Sequence, residues 1–134
     1  MRVTNEATIE AELRKVSEQV YGVLGVKGRR GEGDAVNFSQ CEGQSDPNVR
    51  DAIHFWQVDD LDPAELNPAV ERLRDHLKAS GWIGLGEKWD AGKVDLEVWG
   101  KNPEKTVAVW AQAFHPKNRV IFRVSTPCFR LPAA

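Results

Sequence analysis

Long apolar runs are missing from this chain of 134 residues. None approaches the roughly 18–20 residues that cross a bilayer as a helix, so no helical membrane span is expected. The first residues, Met1-Arg2-Val3-Thr4-Asn5-Glu6, show no hydrophobic segment of signal-peptide type. That leaves a cytoplasmic protein, or a mature secreted domain carrying an added methionine. An excess of charge is also missing. A net charge of −2 argues against nucleic acid as the main partner, because phosphate binding needs clustered Lys and Arg. Cysteine is scarce, with only Cys41 and Cys128. No His or Cys neighbours either one at metal-ligand spacing, so a zinc site is not expected. A chain of this length buries a real core without metal or several disulfides, and residues 1–134 read as a single domain.

Catalytic signatures are equally sparse. No Rossmann, Walker or His-Glu-x-x-His pattern occurs, and Ser39, Ser45 and Ser125 lack a nucleophile-elbow setting. His54, His76 and His115 stand apart in the sequence, as solitary surface or half-buried histidines do. From Gly22 to Gly33 five glycines alternate with Lys27, Arg29 and Arg30. Phosphate loops follow a strand and open a helix, whereas these glycines follow a helix, so a mobile basic linker is expected. The cluster Asp59-Asp60-Leu61-Asp62 lacks the Gly and distal Glu of a calcium loop and reads as a strand-to-helix turn. Neither a cofactor nor a metal is expected.

What is present is a block of strand patterns from Trp82 to Phe129, holding four of the five tryptophans. Segments 82–89, 93–100, 106–115 and 119–126 are separated by Asp90-Ala91-Gly92, Gly100-Lys101-Asn102-Pro103 and His115-Pro116-Lys117-Asn118. These breaks carry turn residues, so the block reads as an antiparallel meander of hairpins. Strand side chains alternate between faces. One face then collects Val94, Leu96, Val98, Val107, Val109, Ala111, Ala113, Val120, Phe122 and Val124, and needs a helix cover. The other mixes Asp95, Glu97 and Arg123 with Trp99, Trp110, Phe114 and Ile121. Two tryptophans do not suit a merely solvated face. It is either an aromatic patch rimmed by charge, a common form of protein contact, or ordinary core beneath a loop or the N-terminal segment. Asp95 and Glu97 stand about 7 Å apart by strand rise. Paired carboxylates suit a glycosidase, but alternating charge is more simply the wet side of a strand, so no catalytic residue is assigned.

The N-terminal half supplies the cover. Ile9, Leu13, Val16, Val20 and Leu24 recur at helical spacing over 6–24, with Thr4 or Asn5 as N-cap and Gly22 and Gly25 loosening and ending the helix. Residues 35–42 and 52–59 read as strands, the second placing Ile53 and Phe55 opposite His54 and Trp56. A second helix is expected to start at Asn67, with Pro68 at its first position, to present Val70, Leu73 and Leu77, and to stop at Ser80-Gly81. The predicted architecture is α+β, a two-layer αββαββββ domain with an antiparallel sheet and helices packed on one face.

Cys41 and Cys128 are either two buried thiols or one disulfide tying the first strand to the end of the last, the bridge being expected. The run Leu77-Lys78-Ala79-Ser80-Gly81-Trp82, the meander, and the closing Ser125-Thr126-Pro127-Cys128 resemble small secreted or lipid-anchored actinobacterial domains of unassigned function. The resemblance covers roughly residues 41–128. It implies the αββαββββ fold, a Cys41–Cys128 bridge and an extracytoplasmic location, although this chain lacks that group's signal and lipobox cysteine. The leading expectation is a non-catalytic interaction domain outside the cytoplasm, in its most specific form an immunity or inhibitor protein that neutralises a secreted toxin or enzyme. The partner would meet Trp99, Trp110, Phe114 and Ile121, with Glu97 and Arg123 at the rim. Two alternatives are a small-molecule carrier or enzyme with its pocket between sheet and helices, near His54 and Trp56, and a cytoplasmic structural subunit with free thiols.

Overall fold

A computed structural model describes residues 1–31, 34–90, 92 and 94–133. Gly33 of the basic segment, Ala91 of the first turn and Lys93 of the second predicted strand lie outside these. The described residues form helices α1 (Glu6–Leu24) and α2 (Pro63–Ala79). The strands are β1 (Arg29–Arg30), β2 (Val36–Gln40), β3 (Val49–Asp59), β4 (Ile83–Asp90), β5 (Asp95–Lys101), β6 (Ala108–Phe114), β7 (Arg119–Ser125) and β8 (Phe129–Arg130). Apart from the two-residue strands β1 and β8, the order is the expected αββαββββ.

All eight strands join one antiparallel sheet, ordered β1-β3-β7-β6-β5-β4, with β2 and β8 also paired to β3. After the β2–β3 hairpin, α2 carries the chain across to the far edge at β4. The meander then walks back strand by strand until β7 closes against β3. Both helices pack on one face, α1 over β3 and β7, α2 over β5 and β6. Between the layers lie Leu13, Leu73, Trp56, Phe122 and their neighbours, a continuous apolar core. Each fully buried large aliphatic or aromatic side chain there stabilises by roughly 1.5–3 kcal/mol.

Helix α1 keeps its expected span and caps, and several other local expectations are corrected. Asn5 caps α1, its side chain accepting from Thr8 N, and the helix runs through Gly22 to Gly25, whose left-handed φ of 62° ends it. The buried stripe of α1 includes Ser17, with Val16 only partly buried. Helix α2 starts at Pro63 with Asp62 as N-cap, so Pro68 lies inside it. Val94 is 46% exposed, because β5 begins one residue later and the Val94 N–H closes a turn onto Asp90 O at 3.0 Å. The basic segment is anchored. Arg29 and Arg30 pair with β3, and the Arg30 guanidinium lies 4.3 Å over the buried Trp56 ring while bonding Glu18 at 2.9 Å.

Candidate functional site: the open face of the sheet

Strand register determines what shares the face turned away from the helices, because directly opposed residues in neighbouring strands are the nearest side-chain neighbours. The rows across β4–β5–β6–β7–β3 can be followed pair by pair. Ile83, Lys101, Ala108, Ser125 and Ile53 form the first. Gly86, Trp99, Trp110, Arg123 and Phe55 form the second, and Lys88, Glu97, Gln112, Ile121 and Gln57 the third. A fourth starts with the Asp90–Asp95 pair and also includes Phe114 opposite Arg119. All six residues singled out as partner-binding therefore stand on one face, and both helices lie on the other.

The second row is an aromatic and cationic strip. A Cβ at Gly86 would fall 2.3 Å from the Trp99 indole, so the ring lies flat on bare backbone. An indole can cover a strand glycine only where that side chain is absent. Trp110 Nε1 donates to Glu97 Oε1 at 2.5 Å. The Arg123 guanidinium reaches over Trp110 at 5.4 Å and Phe55 at 5.9 Å. Trp99, Trp110, Glu97, Ile121 and Phe114 are half-buried, and Arg123 is exposed. Phe55, 41% exposed, belongs to this strip. Its alternation with Trp56 is legible in the sequence, but which side of β3 meets Arg123 is not. Phe114 stands apart, four residues along β6 from Trp110 and so about 13 Å away by strand rise, with Gln112 between.

Both signs of charge meet at the end of the face that holds the Asp90–Asp95 pair. Asp90 accepts from Gln112 Nε2 at 3.1 Å and pairs with Lys88 Nζ at 3.2 Å. A hydrogen bond shared with Glu97, and then the Lys88 ammonium, hold the Asp90 carboxyl below its ordinary value. Asp95 is buried and bonds the backbone N–H of His115 at 3.1 Å and its Nδ1 at 2.5 Å. The two carboxylates considered for glycosidase chemistry are thus held by different partners, Asp95 by His115 and Glu97 by Trp110. At the opposite end a cleft of about 490 Å³ opens between Ile83, Lys101, Lys105, Ala108, Ser125 and Pro127. It adjoins a smaller one of about 130 Å³ that reaches Trp99, Trp110 and Arg123.

A second constellation was not foreseen. Ser17 Oγ lies 2.6 Å from His54 Nδ1, and His54 Nε2 meets Asp34 Oδ1. With the proton on Nε2, Ser17 donates to Nδ1 and His54 donates to Asp34, and Arg30 and Arg14 pair with that carboxylate at 3.5 and 3.8 Å. Serine, histidine and aspartate are the groups of a hydrolytic triad. Here Ser17 has no exposed surface and His54 has 1%, so no acyl group can approach the hydroxyl. The network satisfies buried polar groups where α1 crosses β3. Its sequence signal was a serine inside an apolar helical stripe and a histidine on the Trp56 side of β3.

Cys41 and Cys128 form a disulfide with Cα atoms 6.1 Å apart, leaving no free cysteine among the described residues. This replaces the free-thiol alternative. No group of three or more metal-ligating side chains occurs among the described residues, and no described helix is long and apolar enough to cross a membrane. Comparison of the chain with family models, curated proteins and solved structures returns no match in any of the three.

Proposed function

We propose that this chain is a non-catalytic protein-binding domain that works outside the cytoplasm, and that its partner docks on the open face of the sheet. The observation that carries the reading is the Trp99–Trp110–Arg123–Phe55 strip, half-exposed and uncovered by either helix. Interfaces are centred on tryptophan and arginine rimmed by polar groups, and Glu97 and Gln112 border the strip. The Cys41–Cys128 bridge supports an oxidising compartment, since structural disulfides persist there and are rare in reducing cytosol. The most specific form of the proposal is an immunity or inhibitor protein that neutralises a secreted toxin or enzyme. A rigid sheet face suits that role because little ordering entropy opposes binding.

The test compares native protein with Trp110→Ala. A secreted protein retained by immobilised native chain is expected to lose at least about 2 kcal/mol of affinity, roughly 30-fold, on truncation of a central interface tryptophan. Thermal unfolding should shift far less. If retention and stability fall together, Trp110 is a core residue and the docking reading is wrong.

A further inference from the structure

The docking reading leaves the chemistry of the partner open, and the lysines at one end of the face narrow it. We propose that an acidic segment of the partner protein, presenting internal Asp or Glu side chains, seats in the cleft between Lys101 and Lys105. This proposal rests on the open-face reading and adds an orientation to it.

Three observations converge on the cleft. Its lining is mostly apolar, Ile83, Ala108 and Pro127 among it, and the small Ala108 between Lys101 and Ser125 lets extended backbone lie close to the sheet. Its mouth is cationic. Lys101 and Lys105 line it and Arg123 stands where the smaller cleft continues towards the tryptophans. None of these three has an ion-pairing carboxylate among the described residues. The neighbouring Glu104 instead lines a separate cleft with Arg2 and Glu12. The loop that carries Lys105 is also set in advance. Asn102 Oδ1 accepts from the backbone N–H groups of Thr106 and Val107 at 2.8 and 3.0 Å. Asn102 Nδ2 donates to Thr106 Oγ1 at 2.8 Å, and Lys105 takes a left-handed φ of 60°. Lys105 on this ordered turn and Lys101 at the end of β5 form a receptor for carboxylates, its backbone already set in the free protein.

The far end of the face decides which anion fits. Asp95 lies six residues along β5 from Lys101, about 20 Å by strand rise, and faces Asp90. That separation exceeds the Debye length of about 8 Å at physiological salt, so the two ends act as separate fields. The far end carries cations of its own, Lys88 being paired with Asp90 at 3.2 Å, so the unpaired positive charge of the face stands at the Lys101–Lys105 end. A protein segment that is acidic at one end and neutral at the other matches both ends.

The probe is a hexapeptide of alternating glutamate and leucine with blocked termini, compared with its glutamine counterpart and titrated into isotopically labelled protein by NMR. The expected result is saturable amide shifts at Lys101, Ala108, Ser125 and Thr126 with the glutamate peptide only. Binding should weaken at least tenfold in Lys101→Glu/Lys105→Glu and on raising salt from about 50 to 300 mM, as exposed charge pairs do. Ala108→Leu fills the cleft while keeping both charges and should block binding too. Equal binding of the two peptides, shifts elsewhere, or no saturation would overturn the proposal. In the retention assay, a partner lost with Trp110→Ala but kept with Lys101→Glu/Lys105→Glu sinks the acidic-segment proposal alone. A partner kept with Trp110→Ala sinks the docking reading beneath it.

Discussion

Gly86 and Trp99 form one unit at the edge of the open face. The indole occupies the space where any other residue at position 86 would place its Cβ. Gly86→Ala therefore forces the ring off the strand, and overpacking of this kind costs about 1–3 kcal/mol. Because the clash needs both groups, Gly86→Ala/Trp99→Ala should cost less than the sum of the single changes. Denaturant unfolding of the four proteins measures the coupling, and strict additivity would mean that the ring does not rest on Gly86. Alternation along β5 and β6 was enough to put Trp99 and Trp110 on one face. The sequence held no statement of register, and so could not reveal that Gly86 underlies Trp99 or that Phe55 flanks Arg123. The setting of His54 is hidden from the sequence for a related reason. A histidine with no polar neighbour in sequence finds Ser17 and Asp34 only after α1 has crossed β3.

Among the elements, the start of α2 shows how one signal can occur twice. Asp62-Pro63 and Asn67-Pro68 both read as a cap followed by proline at the first helical position. The earlier pair is the real one, with Asp62 Oδ1 accepting from Ala64 N at 3.0 Å. Asn67 has another task. Its Nδ2 donates to Val94 O at 2.7 Å and its Oδ1 accepts from Leu96 N at 3.1 Å, tethering the helix to the start of β5. Asp62→Ala should then cost about 1 kcal/mol as a lost cap. Asn67→Ala should also leave a part-buried backbone amide unpaired, a loss of roughly 1–3 kcal/mol. Hydrogen exchange separates the two. Protection at Leu96 should fall in Asn67→Ala and stay native-like, relative to global stability, in Asp62→Ala. Equal local exchange in both would show that Asn67 does not hold the strand. The basic segment shows the same limit, since glycine content suggests mobility but says nothing of the edge of β3 that pairs with Arg29 and Arg30.

At the scale of the whole molecule, layer architecture was readable because periodicity reports which side of each element is apolar. The strand order was not, because no local pattern states that β7 rather than β4 lies beside β3. The disulfide matters most at this scale. Cys41 follows β2 and Cys128 precedes β8, the short strands that flank the beginning of β3. Val3 bridges to Arg130, and Arg130 bonds Asp46 at 2.6 Å, so both chain ends and the loop before β3 are gathered at this corner. A link between residues 87 apart restricts the unfolded chain strongly, by about 4–5 kcal/mol in the chain-entropy model. Cys41→Ser/Cys128→Ser is therefore expected to lower unfolding free energy by several kcal/mol. Hydrogen exchange should rise first in β2 and β8 while β5, β6 and β7 keep their relative protection, because local openings follow the weakest cooperative unit. Oxidised and reduced native protein with identical denaturation midpoints would mean that the bridge does not close in solution, and the extracytoplasmic proposal would lose its main support.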